Sequence, residues 1–481
     1  MKFYIILLIA LFAFASAGIA QNSNLANSNS NDLWNLEKCI SYALQNNLTV
    51  QSQILTREQQ RIALERSKMS RYPSLNSTIG HNYNFGRAID PFTNQFVNQR
   101  IQSNNFNLSS NVTLYNGNRI NNTIERDQLQ MEKSQSDLLN TKNTITNNVV
   151  LAYLNVVSTQ QTLKTAIQQD STTAAQIDLV AKLVEGGRLN RGELLNLKAQ
   201  KANDQLTLRR SEADLTTAYL NLKQLLQVDP QTSFEIEIPN VDDISSVNTS
   251  DLESVIQKSY NELPSIVGAE QQLKIAKLNE EIAKSGTLPR LSMFANLNSV
   301  YSESRKEAFN EKPTTVEIGY VEGSGANVLR DAIDFDTRTT PFGSQLGDNF
   351  GQSVGLSLSV PIYNNNQVKS QIANAKIGNE QAEINLNLVK NSIRADITNA
   401  YNDLSNSFAS YNAALENEKA QRENYSFSEK RFNSGLITST ELILARSNWQ
   451  QSQFMLQRAK YQLLASKALV NFYRTGEISL K

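Results

Sequence analysis

Leu114-Tyr-Asn-Gly-Asn-Arg119 returns 248 residues later as Ile362-Tyr-Asn-Asn-Asn-Gln367. At the same offset, Lys182-Leu-Val-Glu-Gly-Gly-Arg-Leu-Asn-Arg-Gly-Glu-Leu194 is matched by Lys430-Arg-Phe-Asn-Ser-Gly-Leu-Ile-Thr-Ser-Thr-Glu-Leu442. Ala152 and Tyr153 keep that distance from Ala400 and Tyr401. A constant offset over about eighty residues marks a duplicated structural unit, so the chain is read as two similar halves. An enzyme site usually breaks such symmetry, whereas a conduit or a scaffold exploits it.

Between the repeated stretches the apolar period is helical. From Ile145 the stripe runs Val149, Ala152, Val156, Leu163, Ile167, Ala174, Ile177, Ala181, Val184, in steps of three, four and seven. That spacing lies between a strict heptad and a straight helix and predicts a shallow left-handed supercoil. Proline is absent between Asn116 and Val228 and again after Ile362. A helix over 119–185 is predicted, roughly 100 Å long at 1.5 Å per residue. Gly186-Gly187 breaks it, and a second helix returns to about Gln227. The other half repeats this with a helix over 367–433, a break at Ser434-Gly435 and a return to about Tyr473.

Four stretches instead have period two. Leu75, Ile79, His81, Tyr83 and Phe85 alternate with Asn76, Thr78, Asn82 and Asn84, and Phe106, Leu108, Val112 and Leu114 alternate with Asn107, Ser109, Asn111 and Thr113. Leu291, Met293, Ala295, Leu297 and Tyr301 face away from Ser292, Asn296 and Asn298; Val354, Leu356, Leu358, Val360 and Ile362 face away from Ser357 and Ser359. Each stretch has the length of a tilted membrane-spanning strand, apolar on one side and polar on the other. Four strands cannot close a barrel, and open edges are not viable in lipid. Two chains would give eight strands around a filled interior, and three would give twelve, wide enough to conduct.

The ends and the composition narrow the class. Residues 1–20 read as a signal peptide, with Lys2, a short apolar run to Phe14 and small residues at Ala15, Ala17, Gly18 and Ala20. Residues 21–32, rich in Asn and Ser, read as a mobile leader. The single cysteine, Cys39, excludes internal disulfides and reads as a small buried hydrophobe. The 46 basic and 46 acidic side chains balance, which gives no support for a nucleic-acid partner. Mean hydropathy is −0.41, and no later apolar run is long enough for a membrane helix. The predicted organisation is a first repeat over 33–227 (a helix, a strand pair 74–115 and a long helical hairpin 119–227) and a linker or equatorial segment 228–262. A second repeat follows over 263–473 (a helix, a strand pair 290–363 and a hairpin 367–473), with a tail at 474–481.

At this point the chain resembles the TolC family of outer-membrane efflux channels. The resemblance covers Leu36 to Tyr473. It is carried by the opening Leu36-Glu-Lys-Cys-Ile-Ser-Tyr-Ala-Leu-Gln-Asn-Asn47, the strand entries at Pro73 and Pro289, the two Tyr-Asn strand exits and the two glycine-marked hairpin tips. It implies a mainly α fold with a transmembrane β part, assembled as a homotrimer with a twelve-stranded barrel in outer-membrane lipid and an α-helical barrel in the periplasm. It also implies passive export, powered by an inner-membrane transporter (the pump) that a periplasmic membrane-fusion adaptor joins to the channel, for efflux or type I secretion. The short alternating run from Phe234 to Ile238 would belong to an equatorial collar.

The tips are where a conduit is gated. Glu193 and Glu441 occupy equivalent positions after the two turns, and in a trimer they would give six carboxylates at the periplasmic aperture, with Arg188 and Arg191 as bridging candidates. A simpler reading treats Asn190 and Thr438 as helix N-caps with a glutamate at the third helical position. Gly187, Leu189, Gly435, Leu436 and Ile437 are the predicted adaptor-docking tips. The family's second acidic position falls on Leu444, and its tyrosine and arginine latch positions fall on Phe432 and Ile437, so that latch is absent as such. The second strand pair carries 32 extra residues within 302–350, with nine acidic and five basic side chains, and is expected to form an extracellular loop. His81 is the only histidine, and neither a catalytic constellation, a metal cluster nor a cofactor fingerprint is expected. The alternative to a channel is a non-conducting periplasmic or surface coiled-coil scaffold.

Overall fold

The computed structural model describes residues 33–89, 96–98, 100–239 and 251–476. The expected signal peptide and leader, the middle of the linker (240–250) and the end of the tail (477–481) lie outside them.

Two very long helices dominate the chain. The short helices α1 (Leu36–Asn46) and α2 (Leu48–Met69) lead into strands β2 (Ser74–Asn84) and β5 (Ile101–Tyr115), after the brief β1 (Leu33–Trp34) and around the small ribbon β3 (Arg87–Ile89) and β4 (Phe96–Asn98). Helix α3 then runs from Arg119–Glu185 and α4 returns over Arg191–Leu226. After β6 (Glu235–Ile236) the pattern repeats with α5 (Leu252–Glu262), α6 (Pro264–Lys284) and β7 (Arg290–Ser302). Strands β8 (Lys306–Tyr320) and β9 (Asn327–Thr339), helix α7 (Phe342–Asp348) and strand β10 (Gly351–Ser359) precede α8 (Gln367–Asn433) and α9 (Ser439–Thr475). Both 67-residue helices, α3 and α8, begin after a left-handed asparagine, Asn118 (φ 65°) and Asn366 (φ 60°), so the duplication extends to the turn conformation. Asparagine tolerates that region better than other residues with a Cβ, because its short side chain bonds locally.

The four alternating stretches form one antiparallel sheet, ordered β10-β7-β5-β2. Its register places every apolar face on the same side: Ile79 opposite Phe106, Leu108 opposite Leu297, Met293 opposite Leu356. Leu75 is 71 % exposed and Leu356 is 65 % exposed on that side. The other side carries Asn76, Asn107, Asn111, Asn296 and Ser357 by the same register. Phe294, Val300 and Ile101 are apolar exceptions on it, and the Phe294 ring lies over Gly355, where a Cβ would meet Cζ at 2.5 Å. Strand β10 ends at Ser359, short of the expected Ile362, because Pro361 has no N–H to donate to a ladder.

The expected loop at 302–350 is ordered structure instead. Strands β8 and β9 pair as a long two-stranded ribbon, and α7 packs back on β7. Pairs such as Lys312–Asp336 and Arg338–Glu307 cross the ribbon, so the charge density of this segment serves its own hairpin.

The helices stand in a row. α2 packs on α3, α3 on α6 and α6 on α8, while each long helix pairs with its returning partner. The core of the first half gathers Trp34, Cys39, Ala43, Val50, Val149, Tyr153, Val156 and Leu222 around the parallel pair β1–β6. Burial pushes the Cys39 thiol up to about 12, consistent with an inert core thiol. The stripe expected on α3 holds at Val149 and Val156 but shifts lower down. There Ala166, Gln169, Thr173 and Val180 are buried, each one residue ahead of the expected period, and Ile167 is exposed. The helix turns its buried face to its own chain, and polar side chains such as Asn148, Asn155, Lys164 and Asp178 dominate its exposed side.

Candidate functional site: the hairpin tips

Each tip is built by the same backbone device. After α3, Gly187 takes φ 70°, its N–H donates to Val184 O (3.0 Å) and the Arg188 N–H reaches back to Leu183 O (2.8 Å). After α8, Gly435 takes φ 74°, its N–H donates to Phe432 O (2.9 Å) and the Leu436 N–H to Arg431 O (2.9 Å). These are paired helix-end motifs with glycine at the left-handed position. The returning helices are capped by side chains. Asn190 Oδ1 accepts the Glu193 N–H at 3.0 Å, and Thr438 Oγ1 accepts the Glu441 N–H at 3.3 Å.

The two glutamates then part company. Glu193 does not turn back on its own cap; its Oε2 accepts the backbone N–H of Ser439 at 2.9 Å and also the Ser439 hydroxyl. Ser439 is the first residue of α9 and is buried, so a carboxylate from one hairpin satisfies an orphan donor at the start of the other. Asn196 Nδ2 donates to Thr440 Oγ1 beside it (3.1 Å). Glu441 is exposed, and its carboxylate has no partner among the described residues. Arg188 and Arg191 are exposed as well, and neither pairs with either glutamate within the protomer. Gly187, Gly435 and Leu436 lie at the exposed apex, with Leu189 and Ile437 half-buried behind them.

A second connection between the hairpins lies deeper. Arg446 on α9 is 2 % exposed; its Nη1 donates to Gln176 Oε1 (2.9 Å) and its Nη2 to Gln169 O (2.7 Å), both on α3. Asp204 on α4 is buried between Thr173, which donates to it, and Gln200 Nε2 (2.9 Å). Burial pulls the Arg446 pKa down, and the charges of Asp204 and Glu429 oppose that pull without a direct ion pair. Alongside, the Tyr425 and Trp449 rings stack at 5.1 Å, and Trp449 Nε1 donates to Glu418 Oε1 (3.0 Å). The sequence reading missed Arg446. Its one signal is a four-residue step from the buried Leu442, which places it on the inward stripe of α9.

At the far end of α9, beside the middle of α8, Asp251 receives a fork from Arg474, with Nε to Oδ2 at 2.6 Å and Nη2 to Oδ1 at 2.8 Å. Tyr401 Oη donates to it at 2.8 Å. The bonds from Arg474, then those from Tyr401, hold the Asp251 carboxyl below the usual carboxylate range. The arrangement has the form of a bracing joint: α5, α8 and α9 meet at one carboxylate.

Residues 39–227 and 255–471 match the family model described as "Outer membrane efflux protein". The chain is 22 % identical over 332 residues to Protein CyaE of Bordetella pertussis, covering 69 % of this chain and 61 % of that protein. It is 22 % identical over 377 residues to the "Toxin and drug export protein A" of Aggregatibacter actinomycetemcomitans, covering 76 % and 70 %. In fold it is similar to the CmeC outer membrane channel of Campylobacter jejuni, with a TM-score of 0.70 at 15 % identity over 93 % of this chain and 86 % of that one.

Proposed function

This chain belongs to the outer membrane efflux protein family and resides in the outer membrane, and from that premise we propose that three copies assemble into one passive export duct. The observation that carries this reading is that each protomer is unfinished at both sides in the same way. β2 and β10 are the outermost strands of the sheet, and α2 and α8 end the helix row. α2 exposes Leu48, Leu55, Ile62 and Met69, spaced seven apart, and α8 exposes Ile377, Ile384 and Leu388. A side-by-side neighbour joins β2 to β10 and α2 to α8 in one step, closing a lipid-exposed edge and burying two apolar stripes. Three chains of four strands make a twelve-stranded barrel with room for a lumen. A scaffold free in water would leave the apolar sheet face and both stripes exposed.

In this assembly the helical part forms the periplasmic tunnel. A periplasmic membrane-fusion adaptor docks on the tips through Gly187, Leu189, Gly435, Leu436 and Ile437 and links the duct to an inner-membrane transporter, which chooses the cargo. The aperture carries three free carboxylates from Glu441 rather than six, because Glu193 is engaged in capping α9. Arg188 and Arg191, which pair with neither glutamate within the protomer, bridge across a subunit boundary.

The test is electron microscopy of protein extracted from outer membranes in mild detergent. Threefold particles with a helical tube on the order of 100 Å below a detergent belt are expected. Monomeric particles without a belt would sink the reading. Leu55→Asp with Ile384→Asp, on the two stripes, should abolish the trimer.

A further inference from the structure

We propose that a groove on the apolar side of the sheet, roofed by α7, holds an acyl chain of an outer-leaflet lipid. It has a volume of about 360 Å³, and its walls include Ile79, Phe106, Leu108 and Leu297 from the sheet and Leu346 and Phe350 from the roof. By the register, the four sheet residues all lie on the side that also carries Leu75 and Leu356.

The roof is fixed to the unpaired edge of β7 by hydrogen bonds. β10 begins pairing only at Gly351 opposite Asn298, so β7 beyond that point lacks a neighbour on this edge. Gln345, fully buried, replaces the missing strand: its Nε2 donates to Ser302 O and its Oε1 accepts the Ser302 N–H, each at 3.0 Å. Asn349 Nδ2 donates to Val300 O at 2.6 Å, and Ser299 Oγ donates to Leu346 O at 2.9 Å. The Phe342 ring packs edge-on to Phe106 (6.0 Å) and against Tyr301 (5.1 Å). These bonds satisfy the β7 backbone groups at Val300 and Ser302, which hydrocarbon would otherwise leave unpaired.

The occupant follows from position. The groove spans β5 and β7, the inner strands of the sheet, and reaches Ile79 on the edge strand β2. Its sheet residues sit near the middle of their strands and its roof at the end remote from the long helices, so it runs from mid-bilayer toward the outer leaflet when those helices lie in the periplasm. Its mouth opens on the lipid-facing side, so a flexible alkyl chain is the ligand that reaches it.

This inference rests on the barrel reading, and the experiment separates the two. One tryptophan reporter at a time is placed by Leu346→Trp in the roof or Leu356→Trp on β10 nearer the helical end, over the background of Trp34 and Trp449 in the helical part. The trimer is reconstituted in phosphatidylcholine vesicles with brominated acyl chains. Both reporters should be quenched by bromine and shielded from aqueous acrylamide. Quenching at 356 without quenching at 346 overturns the groove and leaves the barrel; quenching at neither position removes the barrel too. Native mass spectrometry of the trimer then reads occupancy. Wild type should retain one more lipid per protomer than Ser77→Trp, which fills the groove, and equal retention would refute the proposal. If Ser77→Trp does not assemble, the smaller Ser77→Leu is measured against the same criterion.

Discussion

Removing the Glu193 carboxylate should loosen the second hairpin tip, although the residue belongs to the first. In Glu193→Ala the buried Ser439 N–H and hydroxyl both lose their acceptor. Loss of a side-chain cap costs about 1 kcal/mol, and a buried donor left without a partner costs about 1–3 kcal/mol. Water reaching the tip offsets part of this, so a net of about 2 kcal/mol is expected. At 1.36 kcal/mol per decade that is about a thirtyfold drop in hydrogen-exchange protection for the start of α9. Glu193→Gln keeps an acceptor oxygen but loses the favourable charge at a helix N-terminus, which is worth about 0.3–1 kcal/mol. Its drop should therefore be about two- to fivefold. Glu441→Gln removes a carboxylate with no partner and loses only its favourable charge at the α9 N-terminus, about 0.3–1 kcal/mol, so protection should fall no more than about fivefold while the cation preference of the pore is lowered. Exchange is read on the peptide covering residues 439–446 of the intact trimer. Equal losses in Glu193→Ala and Glu441→Gln would show that the sequence equivalence, not the observed cross-hairpin cap, governs the tips.

Arg446→Ala strips the buried contacts to Gln169 and Gln176 and leaves those acceptors unpaired, so about 2 kcal/mol of stability should be lost. A lowered unfolding midpoint in denaturant checks it, and an unchanged midpoint would place the hairpin coupling elsewhere. The Asp251 carboxyl titrates below its unfolded value because Arg474 binds the charged form. Its contribution is thus complete above about pH 4 and disappears as pH falls through the folded value. Melting curves of Asp251→Asn should lack that acid-side decline, whereas a decline identical to wild type would exclude this joint as its source. Gly355→Leu drives a side chain into the Phe294 ring and should block barrel assembly, seen as loss of the heat-modifiable trimer on gels. Restoration by Phe294→Ala would identify the clash as the cause.

Much of the architecture is written in local order. The duplication fixes two halves, the proline-free runs fix the long helices, and the period of two in four stretches fixes a sheet with one apolar side. These features depend on residues near one another, so spacing alone reveals them. The left-handed Asn118 and Asn366 and the glycine turns at 187 and 435 are legible for the same reason. Tertiary structure decided what lies between distant residues. Glu193 and Glu441 are equivalent by offset, yet one caps a helix 246 residues away and the other is free. Arg446 reads as one more charged helix residue until α3 closes over it. The lower stripe of α3 is displaced where α4 and α9 pack on it, partners that a single apolar period does not encode. The charged 302–350 segment reads as a solvated loop because its ribbon and its sealed contact with β7 depend on long-range pairing. What the sequence by itself determined is the set of elements and their repeat; which chemically similar residues are occupied, and which remain open at the aperture, follows only from the packing of one half against the other.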